Sequence, residues 1–141
     1  MITKVTDNIY RGPRIDDFTP LVDLKISTIL NLEDDECAIV NEKSIVSKLN
    51  IQCISLPMSE IYRPSQKQLL DAVNAIISNQ PIYVHCLHGC DRTGMVIAAY
   101  RIIVEHWSVE DAGEEAVNMG HKWYFPPYWL LRKCLQDLQR I

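Results

Sequence analysis

No apolar run in this sequence reaches the roughly 18 residues that a membrane-spanning helix needs. The opening Met1-Ile2-Thr3-Lys4 lacks the basic-then-apolar pattern of a secretory leader. A cytoplasmic location is therefore expected, unless a leader has been trimmed away. Basic charge is scarce as well: 14 Lys and Arg face 18 Asp and Glu, for a net charge of −4 and a pI near 5.5. That disfavours nucleic acid and membrane surfaces as partners, and any anion site must be local rather than a broad basic face. Cysteine occurs five times, at positions 37, 53, 86, 90 and 134, an odd number without framework spacing. Such usage suits a reducing compartment. Internal repeats, low-complexity tracts and linkers are missing too, and nothing signals an oligomeric state.

What remains is an ordinary globular composition, 48% apolar and 23% charged over 141 residues. It is enough for one domain, 1–141, with a core that needs no disulfides. Asn8 to Arg11 reads as a short strand before a Gly12-Pro13 turn. A helix is expected from near Asp16 or Asp17, turning Phe18, Leu21 and Val22 inward and carrying Pro20 in its opening turn. Ser27 to Leu32 is a buried strand, and the acidic run Glu33-Asp34-Asp35-Glu36 ends it. Ala38 to Leu49 reads as a helix on Ile39, Ile45, Val46 and Leu49, and Ile51 to Leu56 as a further strand. Ser65-Gln66-Lys67-Gln68 is a capping box, followed by the stripe Leu69, Leu70, Val73, Ile76 and Ile77. Ser108 caps a helix ending near Gly120. His121 to Pro127 reads as a loop, and Tyr128 to Ile141 as an amphipathic helix with Leu131, Cys134, Leu135 and Leu138 inward. Strands alternating with helices imply an α/β domain, a mostly parallel sheet covered on both faces.

The chemistry concentrates between Ile82 and Gly94. An apolar strand, Ile82 to Val84, enters a loop that runs from Cys86 past Gly89 to Arg92, where an apolar helix starts and continues to about His106. Apolar all round, that helix should be the buried central one. A tight loop at a helix N-terminus aims several backbone N–H groups at one spot, and the helix dipole there favours negative charge. Arg92 adds a planar guanidinium that can grip two phosphate oxygens. The same field favours ionisation of Cys86, whose free thiol would titrate near 8.5. One loop thus supplies an anion cradle and a nucleophile.

His85-Cys86, five residues and Arg92-Thr93-Gly94 resemble the Cys-x5-Arg signature of the cysteine-dependent protein tyrosine phosphatase superfamily. The chain length and the Asn8-Ile9-Tyr10-Arg11 stretch look most like its small dual-specificity branch. The resemblance implies a dual-specificity phosphatase-like fold, no cofactor, no metal and a phosphorylated substrate, either a phosphoprotein or an inositol phosphate. It implies that Cys86 attacks phosphorus, and that Arg92 with the backbone of Leu87, His88, Gly89, Cys90 and Asp91 holds the phosphate. Thr93 would hydrogen-bond the departing thiolate, and His85 would orient the loop. The family takes its general acid, usually aspartate, from the loop that here spans Leu56 to Pro64, where Glu60 stands instead. Asp91 is the rival, since an aspartate before the signature arginine resembles phosphoinositide phosphatases such as the myotubularins. Asp34 and Asp35 read as a solvated acidic turn whose loop could still line the cleft.

The Asp-Arg-Thr-Gly ending and His88 also resemble tyrosine-phosphatase-like phytases. Arg14, Arg63, His121 and Lys122 are candidate accessory cations for a polyphosphorylated ring. Trp123, Tyr124, Phe125, Tyr128 and Trp129 would pack under the last helix or wall the pocket. Cys53 and Cys134 fit core positions and Cys37 a polar loop. Cys90 either packs within the loop or resolves an oxidised Cys86 as a disulfide. Two other readings stand beside the enzyme. His85, Cys86, His88 and Cys90 have zinc-ligand chemistry, but the run is too compressed for a tetrahedron. A catalytically dead phosphate-binding module would usually have lost the cysteine or the arginine, and both are kept.

Overall fold

The computed structural model describes residues 1–120, 133 and 135–140. Its strands are β1 (Thr3–Thr6), β2 (Ile9–Gly12), β3 (Thr28–Asn31), β4 (Gln52–Ser55) and β5 (Ile82–His85). The helices are α1 (Thr19–Asp23), α2 (Glu36–Val46, extended by a 3-10 turn at Ser47–Leu49), α3 (Gln66–Ser78), α4 (Asp91–Ile103) and α5 (Val109–Asn118). The strands form one sheet in the order β1-β2-β5-β3-β4, with β1 antiparallel to β2 and every other pair parallel.

β5 lies at the centre. Ile82 pairs with Ile9 on one side and Thr28 on the other, and His85 pairs with Gly12 and Asn31. All four residues of β3 and of β5 are buried, the apolar pattern expected of parallel strands covered on both faces. Alternate side chains feed two cores. Leu30, Ile82 and Val84 join α3, α4 and α5, while Ile29 and Tyr83 join Phe18, Leu21 and Val46 on the opposite face. The parallel strands end together at Gly12, Asn31, Ser55 and His85. Loops leaving that edge converge where α/β folds bind ligands.

The expected helices are present with shifted edges. Ser65 caps α3 with the full box, its side chain accepting from Gln68 N while the Gln68 side chain returns to Ser65 N. Arg92 through Ile102 are buried, so α4 is the central helix. It ends at Ile103, short of His106, which takes a left-handed φ of 59°. β1 was not expected; its four residues are at most partly buried, an edge strand without a strong apolar signal. α1 is a five-residue helix starting at Thr19, and Val22 points to solvent because so short a helix buries only Leu21. Ile77 is exposed as well, at the edge of the α3 stripe. In α2 the expected face is corrected: Ile45 lies at the surface, as does Leu49 in the following turn, while Glu42 turns inward with Val46. The reason is polar, since Glu42 meets donors from three strands. Leu135 and Leu138 are buried as expected of the last helix. Leu131, Cys134, the 121–127 loop and the aromatic cluster lie outside the described residues. Among the described residues no helix is long and apolar enough to cross a membrane.

Candidate active site

β5 delivers its chain directly into the loop. Leu32 N donates to His85 O at 2.9 Å, and Arg14 N donates to Leu87 O at 3.1 Å. The turn at Gly89 has φ +75°, and a Cβ there would come within 2.4 Å of the Gly12 carbonyl carbon. Only glycine lets the loop lie against the Gly12-Pro13 turn. Tyr83 fixes that turn by donating from Oη to Pro13 O at 2.6 Å. From below, Arg11 donates from Nη2 to Gly89 O at 3.1 Å, and burial pulls the Arg11 pKa down from its ordinary value. Gly94 N donates to Cys90 O at 2.9 Å as α4 begins.

Cys86 is 2% exposed. Its Sγ accepts from the Thr93 hydroxyl, 3.1 Å away in the first turn of α4. Arg92, 7% exposed, is held from two loops. Its Nη1 donates to Met58 O at 3.1 Å and to Asp34 Oδ1 at 3.3 Å, and its Nη2 donates to Glu60 Oε1 at 3.3 Å. The fold therefore brings together Cys86, Arg92, Thr93 and Glu60, which are separated by up to 33 positions in the chain. Asp91 occupies the first turn of α4, where a carboxylate suits the helix dipole. His88 is exposed at the loop's crest and Leu87 half-buried. The Cys90 thiol donates to His88 O at 3.5 Å and packs against Gly120, where a Cβ would lie 2.9 Å from Sγ.

Within the acidic run Glu33, Asp34 and Asp35 take separate partners, and Asp34 and Asp35 stay solvent-exposed as expected. Glu33 is buried and takes Arg14 Nε on both oxygens at 3.1 Å, and that bond raises the Arg14 pKa. Asp34 reaches Arg92. Asp35 caps α2, accepting from Cys37 N and Ala38 N, and Cys37 stands exposed in the first turn. Arg14 is thus already engaged by a carboxylate. Arg63 is exposed on the Glu60 loop, and His121 and Lys122 lie outside the described residues. Beneath the nucleophile His85 is fully buried, with Nε2 2.8 Å from Glu42 Oε2 and Nδ1 3.1 Å from Cys86 O. Asp34, on the loop that could line the cleft, does reach Arg92, while sequence reasoning missed Glu33 and Glu42 as parts of this site. The acidic run offered a signal for Glu33; a single Glu within a helix offered none for Glu42.

A central parallel strand running into a Cys-x5-Arg loop on a buried helix defines the dual-specificity and tyrosine phosphatase class of α/β domain. A family profile described as "Tc-R-P: Polymorphic toxin system, DSP-PTPase phosphatase" matches residues 8–106, and the chain belongs to this DSP-PTPase phosphatase family. It is similar to the dual specificity protein phosphatase OPG106 of monkeypox virus, 30% identical over 106 residues that make up 71% of this chain and 58% of the viral protein. It is also similar to the inositol diphosphatase DSP3 of Arabidopsis thaliana, 30% identical over 130 residues, 86% of this chain and 63% of the plant protein. The chain thus spans about three-fifths of the length of these curated relatives. Among solved structures, the core catalytic domain of the PP-IP phosphatase SIW14 from S. cerevisiae superposes with a TM-score of 0.80 at 26% identity, covering 99% of this chain and 88% of that one.

Proposed function

We propose that this domain hydrolyses phosphate monoesters through a phosphocysteine intermediate. The observation that carries the reading is the buried Cys86 Sγ accepting from the Thr93 hydroxyl at 3.1 Å, at the mouth of α4 and in the loop that ends at Arg92. The thiolate attacks phosphorus in line, forming a P–S bond as the ester P–O bond breaks. Arg92 and the N–H groups of residues 87–92 hold the equatorial oxygens, where charge spreads in the transition state. The leaving oxygen takes a proton from Glu60. Water then attacks the phosphocysteine, releasing orthophosphate, and Thr93 donates to the departing thiolate.

Glu60 is preferred as the acid because its carboxylate already stands on the Arg92 guanidinium that the phosphate will occupy. A docking phosphate competes for those N–H groups and frees Glu60 beside the leaving group. Asp91 is the alternative within the loop, and Asp34 shares the Arg92 contact. Replacing Glu60 by Gln and Asp91 and Asp34 by Asn, one at a time, separates them. The variant lacking the acid loses the high-pH limb of kcat, and the other two keep it.

A second reading keeps this mechanism and assigns inositol phosphates as substrates. It is favoured by the likeness to DSP3, named an inositol diphosphatase, and to SIW14, named a PP-IP phosphatase. A panel of aryl phosphate, phosphotyrosine and phosphoserine peptides, a phosphoinositide and inositol hexakisphosphate decides between them. Preference for the inositol compounds supports the second reading, and preference for peptides supports a protein phosphatase. No release from any of them would make the domain a phosphate-binding module. The working compartment is proposed to be reducing, since the mechanism needs Cys86 as a free thiol.

A further inference from the structure

The buried group beneath the loop has a hydrogen-bond count that fixes its state. His85 is fully buried, and its ring stacks on Tyr83 with centroids 5.6 Å apart. Nδ1 lies 3.1 Å from the Cys86 carbonyl oxygen, and Nε2 lies 3.0 and 2.8 Å from the two oxygens of Glu42. A carbonyl offers only lone pairs, so Nδ1 must carry the hydrogen of its bond to Cys86, and the Glu42 carboxyl group takes Nε2. Among the described residues Glu42, 5% exposed, is met by donors: the ring, Asn31 Nδ2 at 3.1 Å and the Cys53 thiol at 3.6 Å. The other charge facing the ring is Glu33, 3.8 Å from Nδ1, whose negative charge Arg14 already meets. Glu42 and His85 therefore form a buried hydrogen-bonded pair against the nucleophile's own peptide.

We propose that Glu42 is a positioning residue for Cys86, acting through His85. By engaging Nε2 it keeps Nδ1–H on the Cys86 carbonyl. In a trans peptide the N–H points opposite to the C=O. Turning that carbonyl down onto the ring thus turns the Leu87 N–H up, toward the concave side of the loop where phosphate would sit. The inference deepens the cysteine mechanism proposed above, but it concerns the thiol and the ring rather than turnover.

Two measurements test it without any phosphate ester. Nitrogen-15 NMR of the wild-type ring at neutral pH should find Nδ1 of His85 protonated; a bare Nδ1 overturns the proposal, and this needs no variant to fold. Iodoacetamide labelling of Cys86 at pH 6 should slow by roughly three- to tenfold in Glu42→Leu, converging with wild type at pH 9 where an ordinary thiol is largely ionised. Glu42→Asp, which keeps the charge, should recover part of the pH 6 rate. Equal labelling at pH 6 in a folded Glu42→Leu protein overturns the proposal, as does an equal slowing at both pH values, the mark of mere loosening. A protein that passes both tests yet hydrolyses no phosphate ester would leave the Glu42 inference standing and sink the catalytic reading.

Discussion

The Cys86 side chain carries one hydrogen bond that matters for chemistry, from the Thr93 hydroxyl. Replacing it by Ser keeps the loop and the Thr93 neighbour but exchanges the proposed sulfur nucleophile for a hydroxyl, a far weaker one. Phosphate release should fall by at least about a thousandfold with the melting temperature little changed. Residual release close to wild type would discard the nucleophile. Thr93→Ala removes the hydroxyl that donates to Sγ, and by analogy with other preorganised donors kcat should drop about ten- to hundredfold. Because the loss falls on thiolate departure, a pre-steady-state burst of the leaving alcohol should survive; loss of the burst would place Thr93 in the first step. These residues were legible in the sequence because the motif fixes their spacing on a strand, a loop and a helix. Their partners were not. Four acids in a row say nothing about which one bends back to Arg92, and Glu42 looks like any solvent-facing Glu until two strands bring Asn31 and His85 against it.

At the level of elements the legible features are those whose code is local. The α3 cap is an example. Ser65→Ala removes one arm of the capping box and should cost about 1 kcal/mol, lowering the melting point by about 3–5 °C. Aryl phosphatase activity at 25 °C should be unchanged. Gly89 is local in conformation but not in consequence. Alanine there meets both a φ of +75° and Gly12 backbone atoms 2.4 and 2.6 Å away, which no side-chain rotation can relieve. Gly89→Ala should destabilise by about 2 kcal/mol or more. Phosphate affinity should fall with it, as measured by urea denaturation and by orthophosphate inhibition. An unchanged midpoint would mean that the loop does not rest on the Gly12-Pro13 turn. α2 was misread because apolar periodicity assumes that the inward face is apolar. Here one inward position serves a buried polar pair, and Ile45 is left outside. Val22 was misread for another reason, since the helix around it is too short to have a stripe.

For the whole molecule, strand alternation foretold an α/β sheet but not its order, because nothing local tells β5 to insert between β2 and β3. That insertion sets the acid–base character of the core. It places Tyr83, His85 and the neighbouring Cys53 of β4 around Glu42. Burial raises the Cys53 thiol from 9.0 to about 12, with the Glu42 charge adding to the shift. The Tyr83 hydroxyl is raised too, by burial first and then by Glu42 and Cys86. Both groups are held neutral in the fold while the unfolded chain ionises them at ordinary values. Their contribution is therefore fully present below about pH 9 and is lost as pH rises toward 12, where the unfolded state has released protons that the folded state still keeps. Urea midpoints should be level between pH 7 and 9 and fall steadily from 9 to 11. Cys53→Ala should remove part of that fall while leaving the rest to Tyr83. A midpoint as high at pH 11 as at pH 8 would mean that water reaches the Glu42 pocket and that the Glu42–His85 pair beneath the loop is not sealed.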